Sequence, residues 1–144
     1  MPNWLNDPQR AVYDRESGLG VCIFCTIPSS RLIRRSQKND TEWFLMTSPD
    51  LVTWTAQHVA IPKYTTENGD PWTGFVFIDE GNTAGFGKGA WTVLMTMPAA
   101  PHHVQTTALW YSPDRRGRCY SFHSVIMQNP YAGQRDLKDK AFRI

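Results

Sequence analysis

Leu45-Met46-Thr47-Ser48-Pro49-Asp50 and Leu109-Trp110-Tyr111-Ser112-Pro113-Asp114 decide the fold of this 144-residue chain. The two stretches lie 64 positions apart, and each reads as an apolar strand entering a Ser-Pro-Asp turn. Around them, strand-like runs fall at Ala11–Tyr13, Leu19–Ile27, Trp43–Thr47, Thr53–Ile61, Gly74–Asp79, Ala90–Met97, Thr106–Ser112 and Cys119–Val125. Helical periodicity is nearly absent. The runs form two groups of four, separated by Asn68-Gly69-Asp70-Pro71. Other landmarks keep a similar period: 66 residues from Asp7 to Thr73, and 70 from Thr73 to Arg143. Four short strands per repeat with long loops is the signature of propeller blades. An eight-stranded two-sheet sandwich is the competing reading, and the repeat spacing favours blades.

Composition narrows the classes. At 41% hydrophobic and 12% aromatic residues, with six Trp, the chain is globular. Its length supports one ordinary domain with a sizeable core. No apolar run approaches the ~20 residues of a membrane span. A net charge of +2 is too small to argue for a nucleic-acid partner. The three cysteines, an odd count, do not make a complete disulfide framework. Cys22 and Cys25 form a C-x-x-C inside an apolar run, but strand positions three apart face opposite ways, so the thiols do not converge on a metal. His102-His103 reads as a loop pair after Pro101. Four basic residues between 31 and 38 read as a solvated loop.

The chain opens Asn3-Trp4-Leu5-Asn6-Asp7-Pro8-Gln9. Proline disfavours the α region for the preceding residue, so Asp7 is expected to be extended. An amide before it and a rigid proline after it restrict where its carboxylate points. A carboxylate nucleophile needs such aim, although Asn-Asp-Pro also serves as a plain turn opener.

Trp4-Leu5-Asn6-Asp7-Pro8-Gln9 resembles the W-M-N-D-P-N/Q motif that opens glycoside hydrolase family 32, which includes invertases, inulinases and levanases. Ser48-Pro49-Asp50-Leu51-Val52-Thr53-Trp54 is similar to the family's S-x-D-L-V-x-W, and Trp72 through Asp79 to its F-S-G-S-A-V-V-D. Asn82 through Gly87 and Gln105 through Ser112 also resemble family segments, all in family order. The resemblance implies the N-terminal portion of an all-β, five-bladed propeller with its site at one mouth of the channel. About two four-stranded blades are expected: blade 1 at about 7–61, blade 2 at about 72–126, and the start of blade 3 at about 141–144. Asp7 corresponds to the nucleophile, with Asn6, Trp72, Thr73 and Arg143 as substrate-binding residues. The implied partner is a fructan or sucrose-type carbohydrate, with no metal and no cofactor. Family members are commonly secreted, whereas Met1 precedes the motif with no signal peptide between them, so an intracellular chain or a missing natural start is expected.

A retaining glycosidase uses two carboxyl groups about 5–5.5 Å apart, one attacking and one protonating the leaving oxygen. The family's Glu-Cys motif, which carries the acid, is absent, and Ala141-Phe142-Arg143 only reaches the edge of its Arg-Asp-Pro. Glu16, Glu42, Glu67 and Glu80 read as solvated surface charges. Little or no activity is therefore expected of this chain alone. Two further readings are a non-catalytic carbohydrate-binding or structural remnant, and an arabinan-active propeller hydrolase. Unclosed blade faces predict non-specific self-association.

Overall fold

The computed structural model describes residues 4–27, 40–99 and 104–129. The expected positions Arg143, His102-His103, the basic stretch 31–38 and the start of blade 3 lie outside them. Nine strands are present among the described residues: β1 (Trp4–Pro8), β2 (Val12–Asp14), β3 (Leu19–Ile27), β4 (Glu42–Ser48), β5 (Thr55–Ile61), β6 (Gly74–Asp79), β7 (Ala90–Ala99), β8 (Val104–Tyr111) and β9 (Ser121–Gln128). They form two antiparallel sheets, ordered β1-β3-β4-β5 and β6-β7-β8-β9, with β2 also on β3. Each sheet is thus a run of sequential hairpins, as a four-stranded repeat requires.

The strand at Trp4–Pro8 is absent from the sequence expectations. β1 and β2 share one edge of β3: β1 pairs with its Phe24–Ile27 end and β2 with its Leu19–Val21 end. Together they make one interrupted inner strand. Asp7 therefore sits within that strand, rather than at its start.

Alternate residues of each sheet face inward. Val21, Ile23 and Cys25 of β3, Trp43 and Leu45 of β4, Trp91, Val93, Met95 and Met97 of β7, and Ala108 and Trp110 of β8 all join one buried cluster. That period of two puts a single face of each sheet against the other. Trp43 and Trp110 are fully buried in the contact. Cutting back a core tryptophan of this kind costs about 3–5 kcal/mol. The outer faces are less covered: Leu5, Phe75, Ile126 and Met127 are exposed.

The two Ser-Pro-Asp turns are built alike. The Ser48 hydroxyl bonds the Asp50 carboxylate at 3.0 Å, and the Val52 amide donates to Asp50 Oδ1 at 2.9 Å. The Ser112 hydroxyl bonds Asp114, and the Arg116 amide donates to Asp114 Oδ1 at 3.0 Å. Leu51 and Arg115, again 64 positions apart, take the same left-handed conformation, φ 63° and 56°. The repeat read from sequence is thus a repeat of backbone and hydrogen bonds.

Candidate active site

Asp7 is the extra residue of a β-bulge. Asn6 pairs with Cys25 and Pro8 with Phe24, so three residues of β1 span two of β3. Its φ is +52°, in the left-handed region, and not extended as Pro8 alone implies. The bulge overrides the local preference: a residue inserted between two ladder pairs must bend out of the ladder, and aspartate tolerates the left-handed region better than most residues. The cost of such a conformation is about 1–3 kcal/mol, sustained only where the surroundings fix it. Here they do. The bulge re-aims the half-buried Asp7 side chain toward the second sheet, where the Thr73 hydroxyl donates a hydrogen bond to Oδ2.

Thr73 is placed by its neighbours. Its carbonyl accepts from the Thr96 amide at 2.9 Å, and the Trp72 amide donates to the Thr96 carbonyl at 3.0 Å. The Trp72 carbonyl in turn accepts the Trp43 indole N–H at 2.9 Å and lies 3.6 Å from the Cys25 thiol. A few residues upstream, the buried Asp70 carboxylate receives the amides of Asp40 at 3.0 Å and Tyr64 at 2.7 Å. Thr41 donates to the Pro71 carbonyl at 2.7 Å. The segment from Asp70 to Thr73 is therefore sewn to the first sheet by side chains of β4 and the residues before it.

Electrostatics agree with this wiring. Burial first, and the Asp7 carboxylate second, push the Cys25 thiol up to about 11, so it stays protonated. A neutral thiol can donate to Trp72 and accept from the Gln9 amide, 3.5 Å away. Burial likewise raises Cys22, whose thiol contacts the Gln9 carbonyl at 3.3 Å.

Of the expected site residues, Asp7 and Thr73 are brought into contact across the sheets. Trp72 adjoins them and is half-buried, contributing a backbone carbonyl to the seam. Asn6 pairs through its backbone with Cys25. A cleft of about 660 Å³ runs between β2 and β6 and is lined by Arg10, Tyr13, Glu16, Phe77, Glu80 and Arg115 among others. Asp7 and Thr73 are not among its lining residues. Glu16, which pairs with Arg116, lies on that cleft with Glu80. Glu42 is half-buried, not solvated as expected, and burial raises its pKa. It pairs with Thr26, one residue out of step with the Cys25–Trp43 pair, so it occupies the sheet face away from Trp72.

Gln9 and Asp70 are the residues that sequence reasoning missed. Both are polar and almost wholly buried. Their signal is faint: each adjoins a proline beside a candidate site residue, in Asp7-Pro8-Gln9 and Asp70-Pro71-Trp72.

The family model for the N-terminal domain of glycosyl hydrolases family 32 matches residues 1–143. The chain belongs to glycosyl hydrolases family 32. It is 42% identical over 139 residues to a levanbiose-producing levanase of Bacillus subtilis, a match covering 94% of this chain and 25% of that protein. A levanbiose-producing levanase of Geobacillus stearothermophilus is 48% identical over 103 residues, covering 70% of this chain and 25% of its own. The fold of this family 32 chain matches a fructofuranosidase of Schwanniomyces occidentalis in complex with fructose, with a TM-score of 0.71 and 25% identity over 86% of this chain and 24% of that one. It also matches an exo-inulinase of Aspergillus awamori, with a TM-score of 0.70, 22% identity, and 92% and 28% of the two chains. The fold is all-β, and the two sheets are part of the five-bladed family 32 propeller. The chain spans about a quarter of the length of the levanbiose-producing levanases it matches.

Proposed function

We propose that this chain is the nucleophile-bearing portion of a retaining hydrolase acting on β-fructofuranosyl linkages, with levan as the substrate class. The Asp7–Thr73 contact carries the reading. A bulged carboxylate held by a hydroxyl from the next sheet is an aimed one, and it stands at the family's nucleophile position. In this reading an Asp7 oxygen attacks the anomeric carbon of the fructosyl unit as the glycosidic C–O bond breaks. The leaving oxygen takes its proton from a carboxylic acid, a role assigned to no residue of this chain. Thr73 steadies the attacking carboxylate. Asn6, Trp72 and Arg143 bind the sugar. The levan preference rests on the two levanbiose-producing levanases, at 42% and 48% identity.

The first test is fructose and levanbiose release from levan, inulin and sucrose by the purified chain, beside Asp7→Ala. Weak or no release by the chain alone is expected. The second test replaces the matching quarter of the Bacillus subtilis levanase with this chain. Product release from levan is expected, and Asp7→Ala should lower it about ten-thousandfold. A folded chimera that is inactive, or one indifferent to Asp7→Ala, favours the carbohydrate-binding or structural remnant. The exposed Phe75, Ile126 and Met127 support self-association of the isolated chain. Light scattering that finds a monomer across a hundredfold concentration range removes that part of the proposal.

A further inference from the structure

Gln9 is 3% exposed, and both polar atoms of its side chain are engaged. Nε2 donates to the Asp7 carbonyl at 2.7 Å and lies 3.5 Å from the Cys25 sulfur. Oε1 accepts the Gly74 amide at 2.8 Å, a partner 65 residues away. The backbone is held as well, since the Gln9 amide donates to the Ile23 carbonyl at 2.8 Å. One amide group therefore grips both sides of the Asp7–Thr73 contact: the bulged residue itself, and the residue that follows Thr73.

We infer that Gln9 is a positioning residue that sets the aim of the Asp7 carboxylate. The inference rests on reading Asp7 as the nucleophile. Its logic is geometric. A left-handed aspartate before proline relaxes unless its peptide is tethered, and the Gln9 donor tethers that carbonyl. The Gln9 acceptor fixes where β6 begins, and hence where the Thr73 hydroxyl stands. Both jobs need a donor and an acceptor on one neutral group of this reach. Methionine has no donor and only a weak thioether acceptor at comparable length. An ionised glutamate keeps the acceptor and loses the donor.

The test uses the full isotope-labelled chain and its Gln9→Met and Gln9→Glu variants by nuclear magnetic resonance. The three-bond HN–Hα coupling of Asp7 reads its φ, and through-space contacts between the Thr73 methyl and Asp7 read the pairing. Both are expected to change in Gln9→Met, and in Gln9→Glu at neutral pH, while the amide resonances of β7 to β9 stay in place. Acidification that protonates the introduced carboxyl should restore the Asp7 coupling in Gln9→Glu and not in Gln9→Met. Unchanged Asp7 coupling and Thr73 contacts in a folded variant overturn the inference. If Gln9→Met fails to fold, Gln9→Glu decides alone through its acid rescue. Where fructose release is measurable, kcat should fall about a hundredfold with KM within about twofold. A loss confined to KM overturns the inference. Gln9-dependent Asp7 geometry in a chain whose levanase chimera shows no Asp7-dependent turnover sinks the hydrolase reading and leaves the positioning role standing.

Discussion

Thr73 donates its hydroxyl to the Asp7 carboxylate across the seam between two sheets, joining residues 66 positions apart. A hydrogen bond to a charged group contributes about 1.5–3 kcal/mol, and Thr73 is itself exposed, which weakens it through solvent. Thr73→Val should therefore lower turnover by the levanase chimera about tenfold. Thr73→Ser, which keeps the hydroxyl, should stay within about twofold. Equal losses in the two variants would assign the effect to packing.

Gly74 sits where β6 starts, beside both Thr73 and the Gln9 anchor. A Cβ placed on it would lie 2.5 Å from the Leu94 carbonyl and 2.7 Å from the Met95 Cα. Backbone cannot yield as a side chain can, so Gly74→Ala should push β6 off β7 and cost about 2–3 kcal/mol. Gly85 is the control: its φ of +81° is strained for other residues, but a Cβ there meets nothing within 4 Å. Gly85→Ala should cost about 1 kcal/mol. Urea unfolding midpoints of the two variants, at equal slope, check the order.

Ser48 and Ser112 each hold a turn amide with the hydroxyl, at offsets of three and five residues. Ser48 Oγ accepts the Leu51 amide at 2.7 Å, and Ser112 Oγ accepts the Gly117 amide at 3.1 Å. Both residues are buried. Replacing Ser112 with alanine strands the buried Gly117 amide, and replacing Ser48 strands the part-buried Leu51 amide, so each variant should lose about 1–3 kcal/mol. The two losses should match within about 1 kcal/mol and add in the double variant, since the turns share no partner. A neutral result in one turn alone would break the structural equivalence of the repeats.

The cysteines predict a pH dependence with a definite sign. The folded chain keeps the Cys25 proton up to about 11, against an ordinary value of 9.0. Between those values the unfolded chain binds fewer protons than the folded one, so stability falls as pH rises. The stabilisation is fully present below pH 9 and is lost as pH climbs through about 11. Burial of Cys22 acts in the same direction. Thermal midpoints from pH 8 to 11 should decline, and Cys25→Ser should flatten the decline. Under native conditions a thiol reagent should label the exposed Cys119 alone, and all three cysteines after unfolding.

The sequence made the strands legible because apolar residues alternate with a period of two and turn residues punctuate them. Leu19–Ile27 and Gly74–Asp79 come out with the observed bounds. The C-terminal ends of β7 and β9 extend further than the pattern indicates, because pairing with a neighbour can hold residues such as Pro98 and Gln128 in a strand without a β-forming signal of their own. β1 escaped for the opposite reason: Asn-Asp-Pro is a turn signal, and only its pairing with β3 makes it a strand. The same pairing creates the bulge that reverses the expected φ of Asp7. Asp7 and Thr73 were legible through motif resemblance, each alone. Their contact, the Gln9–Gly74 bond and the Asp40–Asp70 bond join residues 30 to 66 positions apart. No local rule announces such pairings.

The seam between the sheets has a consequence for the order in which the site comes into being. During synthesis the Asp7 carboxylate emerges early, followed by all the strands it pairs with in its own sheet. Its hydroxyl partner and the amide that receives Gln9 emerge only at Thr73 and Gly74. Until then the Thr73 bond to Asp7 and the Gly74 bond to Gln9 cannot form. The Asp7–Thr73 pairing thus begins with the second sheet, and a chain halted before it carries the aspartate without that hydroxyl.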